Sequence, residues 1–174
     1  MNPADASATT VPLHTERLDL LPIGPEHAEE LAAALADPAL HAFTGGEPAT
    51  ADALRARYAR LAAGSPDPAA AWGNWALRLR ADGRLTGYVQ ATVGAGAAEI
   101  AWVLGTPWQG RGLAGEAARA LVAHLRASGV TEVFAHIHPD HHASAAVARA
   151  ADLAPTGEQQ DGEVRWSSGP AERG

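Results

Sequence analysis

Three glycines within seven consecutive residues form the part of this sequence best suited to binding an anion. The segment consists of Gln109, Gly110, Arg111, Gly112, Leu113, Ala114 and Gly115. It lies between a predicted strand and a predicted helix, where backbone N–H groups have no helical partner and the helix dipole is positive. Glycines let a ligand approach the backbone closely, so the segment predicts a phosphate or pyrophosphate site, with Arg111 available for an ionic contact. A glycine-rich turn without a ligand is the alternative.

The three glycines also match the G-x-G-x-x-G pattern of dinucleotide sites. That pattern places its first glycine almost at the end of a strand in a parallel sheet. Here residues 105–109 intervene and the preceding strands are predicted to be antiparallel, which argues against a dinucleotide, although Asp140 supplies an acid after the next strand. The segment also lacks the lysine of a P-loop, which argues against hydrolysis of a nucleoside triphosphate.

Four histidines, His136, His138, His141 and His142, crowd around Asp140. Because His136 and His138 share one face of a predicted strand, they and Asp140 have the ligand types that zinc or nickel prefers. The alternative is that these histidines line a cleft or face solvent. We expect the alternative, with no metal bound.

The composition excludes several classes of protein. The net charge of −7 and the isoelectric point near 5.5 argue against binding to a nucleic-acid backbone. The absence of cysteine excludes disulfides, thiolate zinc sites, iron–sulfur clusters and cysteine nucleophiles. No stretch approaches the roughly 20 apolar residues of a membrane span, and no basic region followed by a hydrophobic run marks a signal peptide. We therefore expect a cytoplasmic protein with no nucleic acid or membrane as partner.

The hydrophobic periodicity changes along the chain in an order that predicts the fold. Alternation predicts strands at 17–21, 75–79, 85–93, 98–104 and 131–137, and a hairpin over 155–167 around Asp161-Gly162. Helical spacing predicts helices from Pro25 until Asp37, from the N-cap Thr50 to Gly64, over 113–127 and over 143–151. The order β-α-α-β-β-β-α-β-α-β-β is an α+β fold with one parallel crossover and an otherwise antiparallel sheet. We expect one domain over 13–168, a flexible arm over 1–12 and a tail over 169–174.

The segment Gln109 to Ala114 resembles the Q/R-x-x-G-x-G/A pyrophosphate loop of the GNAT acetyltransferases. Glu116-Ala117 continues it as in the RimJ/RimL-like subgroup, which acts on the N-termini of ribosomal proteins. The residues His141 to Ser144, followed by Val147, resemble the N-x-x-S-x-x-V helix start of that subgroup. The predicted order of elements is also the order of this family, so the resemblance covers about residues 15–166.

The resemblance implies an N-acetyltransferase that uses acetyl-CoA and no metal. In this family acetyl-CoA lies where the strands corresponding to 98–104 and 131–137 splay apart. The residues implied to contact it are Trp102, Val103, Leu104, Gln109, Gly110, Arg111, Gly112, Leu113, Ala114, Gly115, His141 and Ser144, with His141 standing where the family often has asparagine. The acceptor implied is a small-molecule amine or a peptide or protein N-terminus. A non-catalytic acyl-CoA-binding or dimerisation module of the same fold is the alternative, and the family also suggests a homodimer.

The resemblance further implies direct attack of the amine on the thioester, which needs groups that accept and donate protons. Glu99 is the first candidate for the base, because members of this family often have at this strand start a glutamate that relays the proton through water. A carboxyl group in an apolar strand should also have a raised pKa; an exposed strand-end residue is the alternative. His138 is the second candidate. Ser144 matches a serine assigned to the departing thiolate, although a serine in a first helical turn is equally a cap. Ala148 replaces the tyrosine acid of many relatives, and Asp152-Leu153 replaces their glycine–aromatic pair.

The acceptor side of the expected cleft has weaker signals. Trp72, Trp75 and Trp102 lie on strands beside the predicted thioester site, where a cationic or aromatic acceptor can stack, although most tryptophans belong to a core. The loop between the first two helices, with His41 and Glu47, is expected to form a lid that selects the acceptor. Glu47 and the net charge of −7 favour a basic acceptor.

Overall fold

The computed structural model describes residues 6–169, in which eight strands form one sheet in the order β1-β2-β3-β4-β5-β6-β8-β7. The strands are β1 (Leu13–His14), β2 (Leu18–Pro22), β3 (Ala71–Leu79), β4 (Leu85–Gly94), β5 (Ala97–Leu104), β6 (Glu132–Ile137), β7 (Ala154–Gln160) and β8 (Glu163–Ser167). The helices are α1 (Ala28–Ala34), α2 (Ala51–Ala62), α3 (Leu113–Ala127) and α4 (His142–Ala150), with short 3₁₀ turns at Ala6–Thr9, Pro25–His27, Pro38–His41 and Thr106–Trp108. Within the described residues, no helix has the length and hydropathy to cross a bilayer.

The topology confirms the predicted α+β class and element order. Neighbouring strands are antiparallel except for β5 and β6, which are parallel and joined by α3. The structure adds β1, a two-residue strand that is too short to produce a period in the sequence. A mixed sheet of this order differs from the parallel array that a dinucleotide site requires.

The longest helix, α3, has the bounds that its sequence predicts. Its buried residues recur at helical spacing and include Leu113, Ala117, Leu121 and Leu125. They join α4 and one face of the sheet in the main hydrophobic core. The packing fixes the N-terminus of α3 beside the end of β5, where the glycine-rich segment lies.

The opposite face of the sheet is only partly covered by helices. Leu31 of α1 and Leu54 of α2 pack in a second, smaller cluster with Ala76 of β3. Cross-strand partners share a face, so the register places Trp72, Thr92, Glu99 and Phe134 in one row on this face, listed from β3 to β6. Because Thr92 and Glu99 are exposed, this part of the face is open to solvent.

The N-terminal arm that we expected to be flexible packs against the sheet over its described part. Thr9 is only 5% exposed. The indole N–H of Trp75 donates to the carbonyl of Val11 at 2.7 Å, and His124 Nε2 lies 2.6 Å from the carbonyl of Ala8. The small and polar side chains of this segment produce no hydrophobic pattern, and its contacts use the backbone, so the sequence did not indicate them. Residues 1–5 and 170–174 lie outside the described part of the chain.

Candidate active site

The central feature of the site is a fork between two parallel strands. β5 and β6 pair from Ala97–Glu132 to Glu99–Phe134 and no further. Past this point β5 stays paired with β4, and β6 with β8, each through its other edge. The facing edges of the two strands are therefore open, which leaves residues 100–104 of β5 without a partner strand on that side.

Backbone groups of β5 alternate between the edge that faces β4 and the edge that faces the fork. The N–H of Gly105 donates to the carbonyl of Thr86 at 2.7 Å, which sets the alternation. The polar groups of Val103 consequently point to β4, whereas those of Trp102 and Leu104 point into the fork. The backbone groups of Val103, which we expected to contact the ligand, thus lie on the β4 side, and an extended ligand along the open edge would face Trp102 and Leu104.

The glycine-rich segment connects the open strand to α3. Gly110 and Gly112 have φ values of +78° and +76°, a conformation that residues with a Cβ rarely adopt. The Gln109 side-chain amide donates to the Leu104 carbonyl at 2.9 Å and holds the segment against β5. Among residues 6–169 no side chain caps the start of α3, so its first N–H groups and the positive end of its dipole remain for an anion.

Arg17, the residue before β2, bridges the glycine-rich segment and α3. Its Nε donates to Glu116 Oε1 at 2.9 Å, and its Nη1 donates to the Arg111 carbonyl at 2.9 Å. The Thr15 hydroxyl and the Arg17 N–H both donate to Glu116 Oε2. Burial alone would raise the pKa of Glu116, but these hydrogen bonds outweigh burial and lower the pKa. The carboxylate stays ionised, and Arg17 balances its negative charge beside the expected anion site.

Arg17 was not among the predicted site residues, although the sequence contained one signal for it. Glu116 lies in the first turn of a helix whose N-terminus is expected to bind an anion. A carboxylate there repels the ligand unless a cation pairs with it. Because Arg111 belongs to the loop itself, the partner had to come from elsewhere in the chain, and Arg17 supplies it from 99 residues away.

Gly115 has a packing role in addition to its expected backbone contact. An added Cβ at this position would lie 2.9 Å from the Cβ of Ala150 in α4. The missing side chain therefore permits close approach of α3 and α4. The N–H of Gly115 still belongs to the first turn of α3, where it faces no helical partner.

The apex of the fork carries a carboxylate paired with an imidazole. Glu99 Oε1 lies 2.9 Å from His136 Nδ1, which joins the two strands where their backbone pairing ends. The Glu99 side chain is 49% exposed and that of His136 is 14% exposed. Of the two alternatives for Glu99, the exposed one describes its position, because Glu99 faces away from its buried neighbours Ala98 and Ile100. The sequence indicated His136 as a metal ligand or as a residue lining the cleft.

The three tryptophans expected near the acceptor do not share one surface. Trp75 is 0% exposed and belongs to the core, so its assignment to the acceptor site is wrong. Trp102 is opposite Val89 and packs partly against the main core, on the face away from Glu99. Only Trp72 lies in the row of Glu99. Trp72 also lines a groove of about 1540 Å³ at the other end of β5, outside the fork.

The loop from β6 to α4 fixes the proton positions on two histidines. His138 Nδ1 accepts the N–H of Asp140 at 3.0 Å, so a neutral His138 ring carries its proton on Nε2 and is poorly placed to accept another. His141 Nδ1 accepts the N–H of Ser144 at 3.3 Å. Burial and the neighbouring His138 and His142 lower the pKa of His141, which keeps this ring neutral with Nε2–H as a donor.

Ser144 does not cap α4, because His141 does. The Ser144 hydroxyl has no hydrogen-bond partner within residues 6–169. Ala148 is buried and offers no hydroxyl group, and Asp152 adopts the left-handed conformation, φ +63°, that ends this helix. Of the alternatives for Ser144, the capping one is excluded by this geometry.

The histidines around Asp140 do not assemble into a metal site. His136 Nδ1 lies against Glu99, and His138 Nδ1 accepts the backbone N–H of Asp140. In the described part of the chain, no group of three or more side chains with metal-binding atoms converges.

The segment between α1 and α2 crosses the mouth of the fork. Asp37 Oδ2 accepts the hydroxyl of Thr106, just past β5, at 2.7 Å. The ring of Phe43 stacks on His141, just past β6, with centroids 4.4 Å apart and planes 18° apart. We call residues 37–43 the crossing segment. The sequence predicted a lid here but did not single out Phe43.

Of the two residues expected in the lid, His41 lies within the crossing segment and Glu47 lies beyond it. His41 Nδ1 is 3.3 Å from the carbonyl of Gly45, so this ring is used within the loop. Glu47 is exposed and has no partner among the described residues. Its carboxylate is therefore available to a cationic ligand.

Comparison with known proteins is consistent with this geometry. Residues 17–154 match the family model described as the Acetyltransferase (GNAT) domain. No curated protein sequence matches the chain. A ribosomal-protein-S5-alanine acetyltransferase from Vibrio fischeri has a similar structure, with 15% identity, a TM-score of 0.75, and coverage of 93% of this chain and 98% of its own.

Two further solved structures contain a coenzyme. RimL, a ribosomal L7/L12 α-N-protein acetyltransferase in complex with coenzyme A, is 18% identical with a TM-score of 0.75, covering 90% of this chain and 97% of its own. AAC(6')-Ib in complex with paromomycin and acetyl-CoA is 18% identical with a TM-score of 0.72, covering 88% and 94% respectively. At these identities the likeness establishes the fold alone.

Proposed function

The chain belongs to the GNAT acetyltransferase family, and we propose that it transfers the acetyl group of acetyl-CoA to a primary amine by direct attack. The observation that carries the proposal is the fork, whose open β5 edge runs from Glu99 towards the glycine-rich segment at the start of α3. An extended ligand with a pyrophosphate at one end suits such a site, because it can pair with a strand edge and place its phosphates on a helix N-terminus.

The residues present suit the pantetheine and pyrophosphate parts of acetyl-CoA. Backbone groups of Trp102 and Leu104 are directed at the pantetheine position, and the Nε2–H of His141 supplies a further donor from the other arm. The positive φ of Gly110 and Gly112 shapes a loop whose N–H groups, together with Arg111, suit a pyrophosphate. When bound, acetyl-CoA supplies a thioester whose acetyl carbon an amine can attack.

Proton transfer falls to the side chains at the fork. The Glu99 carboxylate, on the open face of the sheet, is positioned to take part in removing the proton of the acceptor amine. The Ser144 hydroxyl, free of any protein partner within residues 6–169, supports a role as the donor to the departing thiolate. Because Ala148 has no hydroxyl group, that role falls to Ser144 or to water.

We propose two acceptor classes, a small-molecule amine and a peptide or protein N-terminus. Coenzyme-bound neighbours of both kinds share the fold, since RimL is described as a protein acetyltransferase and AAC(6')-Ib is bound to paromomycin. The exposed Glu47 and the net charge of −7 favour a cationic acceptor. On the family resemblance we also propose a cytoplasmic homodimer built from one domain over residues 13–168.

The decisive experiment measures release of coenzyme A with a thiol reagent against polyamines, aminoglycosides, amino acids and short peptides. We expect saturable turnover with one class. Gly112→Glu should abolish it by filling and repelling the pyrophosphate position, whereas Gly112→Asn, which tolerates the same backbone conformation, should retain most of it. Because the chain contains no lysine, detection of acetyl-lysine on added proteins has no background from the enzyme's own side chains.

Two results would contradict the proposal. Binding of coenzyme A with no transfer to any amine would favour the non-catalytic acyl-CoA-binding module. Undiminished binding by Gly112→Glu would show that the pyrophosphate does not lie on this loop.

A further inference from the structure

We propose that His136 is the base that accepts the amine proton, and that Glu99 positions it. This inference rests on the proposed function and assigns a second residue to its chemistry. The two side chains meet at the point where β5 and β6 separate, with Glu99 Oε1 2.9 Å from His136 Nδ1. Each strand therefore contributes one member of the pair, and the pair closes the apex of the fork.

The hydrogen bond with Glu99 sets the tautomer of His136. A carboxylate only accepts hydrogen bonds, so His136 Nδ1 carries the proton and donates to Glu99. In the neutral ring Nε2 then has a free lone pair, and the ring makes no other hydrogen bond within residues 6–169. A carboxylate at Nδ1 also stabilises the imidazolium that forms once Nε2 takes a proton.

Neighbouring side chains hold the His136 ring in place. Phe134, two residues earlier on β6, contacts it edge to face with ring centroids 5.7 Å apart. Arg165 on β8 is opposite His136. Its guanidinium stacks on the ring of Phe134, with Cζ 3.7 Å from the ring centroid. Arg165 is itself paired with Glu132 at 2.6 Å. The charged groups that face the imidazole are thus Glu99 from β5 and Arg165 from β8, whose positive charge is balanced by Glu132.

His136 is better suited to this role than the two residues favoured by the sequence. The Glu99 carboxylate is half exposed and already accepts a hydrogen bond from the imidazole. His138 Nδ1 accepts the Asp140 N–H, so in the neutral ring the remaining nitrogen is protonated. His136 alone of the three combines low exposure with a lone pair that no protein group uses within residues 6–169.

The transfer balances with this assignment. The amine nitrogen forms a bond to the acetyl carbon as the carbon–sulfur bond breaks. The proton lost by the amine passes to His136 Nε2. The thiolate takes a proton from water, or from Ser144, which then regains one from water. His136 then returns its proton to solvent through the open face of the sheet.

The test compares His136→Gln and Glu99→Gln with His142→Gln, a nearby exposed histidine at the start of α4 that lies outside the proposed machinery. We expect His136→Gln to lower kcat by about a hundredfold or more. Glu99→Gln should lower it by a smaller factor, and His142→Gln should leave it unchanged. The affinity for coenzyme A, measured by calorimetry, should be the same in all four proteins. Added imidazole should restore part of the activity of His136→Ala, because a small base can occupy the space left by the side chain.

The pH dependence of kcat/KM separates His136 from Glu99. If His136 is the base, Glu99→Gln keeps the acidic limb of the profile, because the base itself is still present. If Glu99 is the base, Glu99→Gln removes the limb and His136→Gln keeps it, which overturns the inference. If the wild type turns over and His136→Gln has the same kcat, the inference about His136 is overturned and the proposed function stands. A wild-type protein that acetylates no amine overturns the proposed function as well.

Discussion

Arg17 and Glu116 form an ion pair that joins the start of β2 to the first turn of α3, with Arg17 Nε 2.9 Å from Glu116 Oε1. The same guanidinium holds the carbonyl of Arg111 in the glycine-rich segment. One side chain therefore shapes the loop and cancels a negative charge next to it. Both effects favour a bound pyrophosphate.

Arg17→Met should weaken the binding of coenzyme A by about tenfold, which corresponds to about 1.4 kcal/mol. The substitution releases the loop and leaves the Glu116 carboxylate without its cation. Calorimetry with coenzyme A measures the change. S-acetylpantetheine, which lacks the pyrophosphate, should bind to Arg17→Met and to the wild type equally. The double variant with Glu116→Gln should recover part of the loss, and a double variant as weak as Arg17→Met would contradict the role of charge.

Phe43→Ala should raise the KM for the acceptor amine, because the stack on His141 holds the crossing segment over the fork. A ring stack of this kind contributes about 1 kcal/mol, which predicts about a fivefold change. Phe43→Tyr keeps the stack and serves as the control. Steady-state kinetics with varied acceptor at saturating acetyl-CoA provide the measurement. Equal KM values for the two variants would mean that this segment does not contact the acceptor site.

Ser144→Ala should lower kcat by about tenfold if its hydroxyl protonates the thiolate, with little change in the affinity for coenzyme A. The melting temperature should not change, since His141 caps α4. His141→Ala is the comparison, because loss of a cap costs about 1 kcal/mol. A variant Ser144→Ala that melts early and turns over normally would point to a structural role instead.

Asp19 predicts a dependence of stability on pH. Its hydrogen bond with His14, followed by those with Arg78 and Arg80, lowers the pKa of Asp19 to about 2 from 3.8. Because the folded-state pKa is depressed, this stabilisation is complete above pH 3.8 and is lost as the pH falls through about 2. Asp19→Asn should therefore melt below the wild type at neutral pH, by about 3 °C for a loss of about 1 kcal/mol. Thermal melts from neutral pH down to pH 2 should show this difference shrinking in acid; a constant difference would argue against the assignment.

The fold was predictable where the hydrophobic period was long. The stripe of α3 from Leu113 to Leu125 and the almost wholly apolar run of β5 predicted both elements nearly to the residue. β1 was missed because two residues carry no period, and the packing of residues 8–12 was missed because it uses backbone carbonyls. A local sequence pattern predicts a helix or a strand. Contacts of backbone carbonyls with distant side chains form only when the sheet brings the two segments together.

The site was predictable where its chemistry is carried by consecutive residues. Segment 109–115 is such a case, because its glycines and the following helix are adjacent in sequence. His136 and Phe43 reach the site from distant segments, so neither type nor spacing indicated their roles, and Arg17 could be inferred only from the need of Glu116 for a cation. Trp75 was misassigned for a different reason: it alternates in step with Leu77 and Leu79, and that parity already placed it on the apolar face of β3.

The crossing segment 37–43 has a consequence for how two substrates affect each other's binding. Asp37 is hydrogen-bonded to Thr106 just past β5, and Phe43 stacks on His141 just past β6. The segment therefore connects the ends of the two strands that form the fork. A ligand that pushes the ends of β5 and β6 apart strains the crossing segment, and a ligand that orders this segment sets the distance between the two strands. We therefore expect the binding of donor and acceptor to be coupled, with each ligand changing the affinity for the other by the same factor.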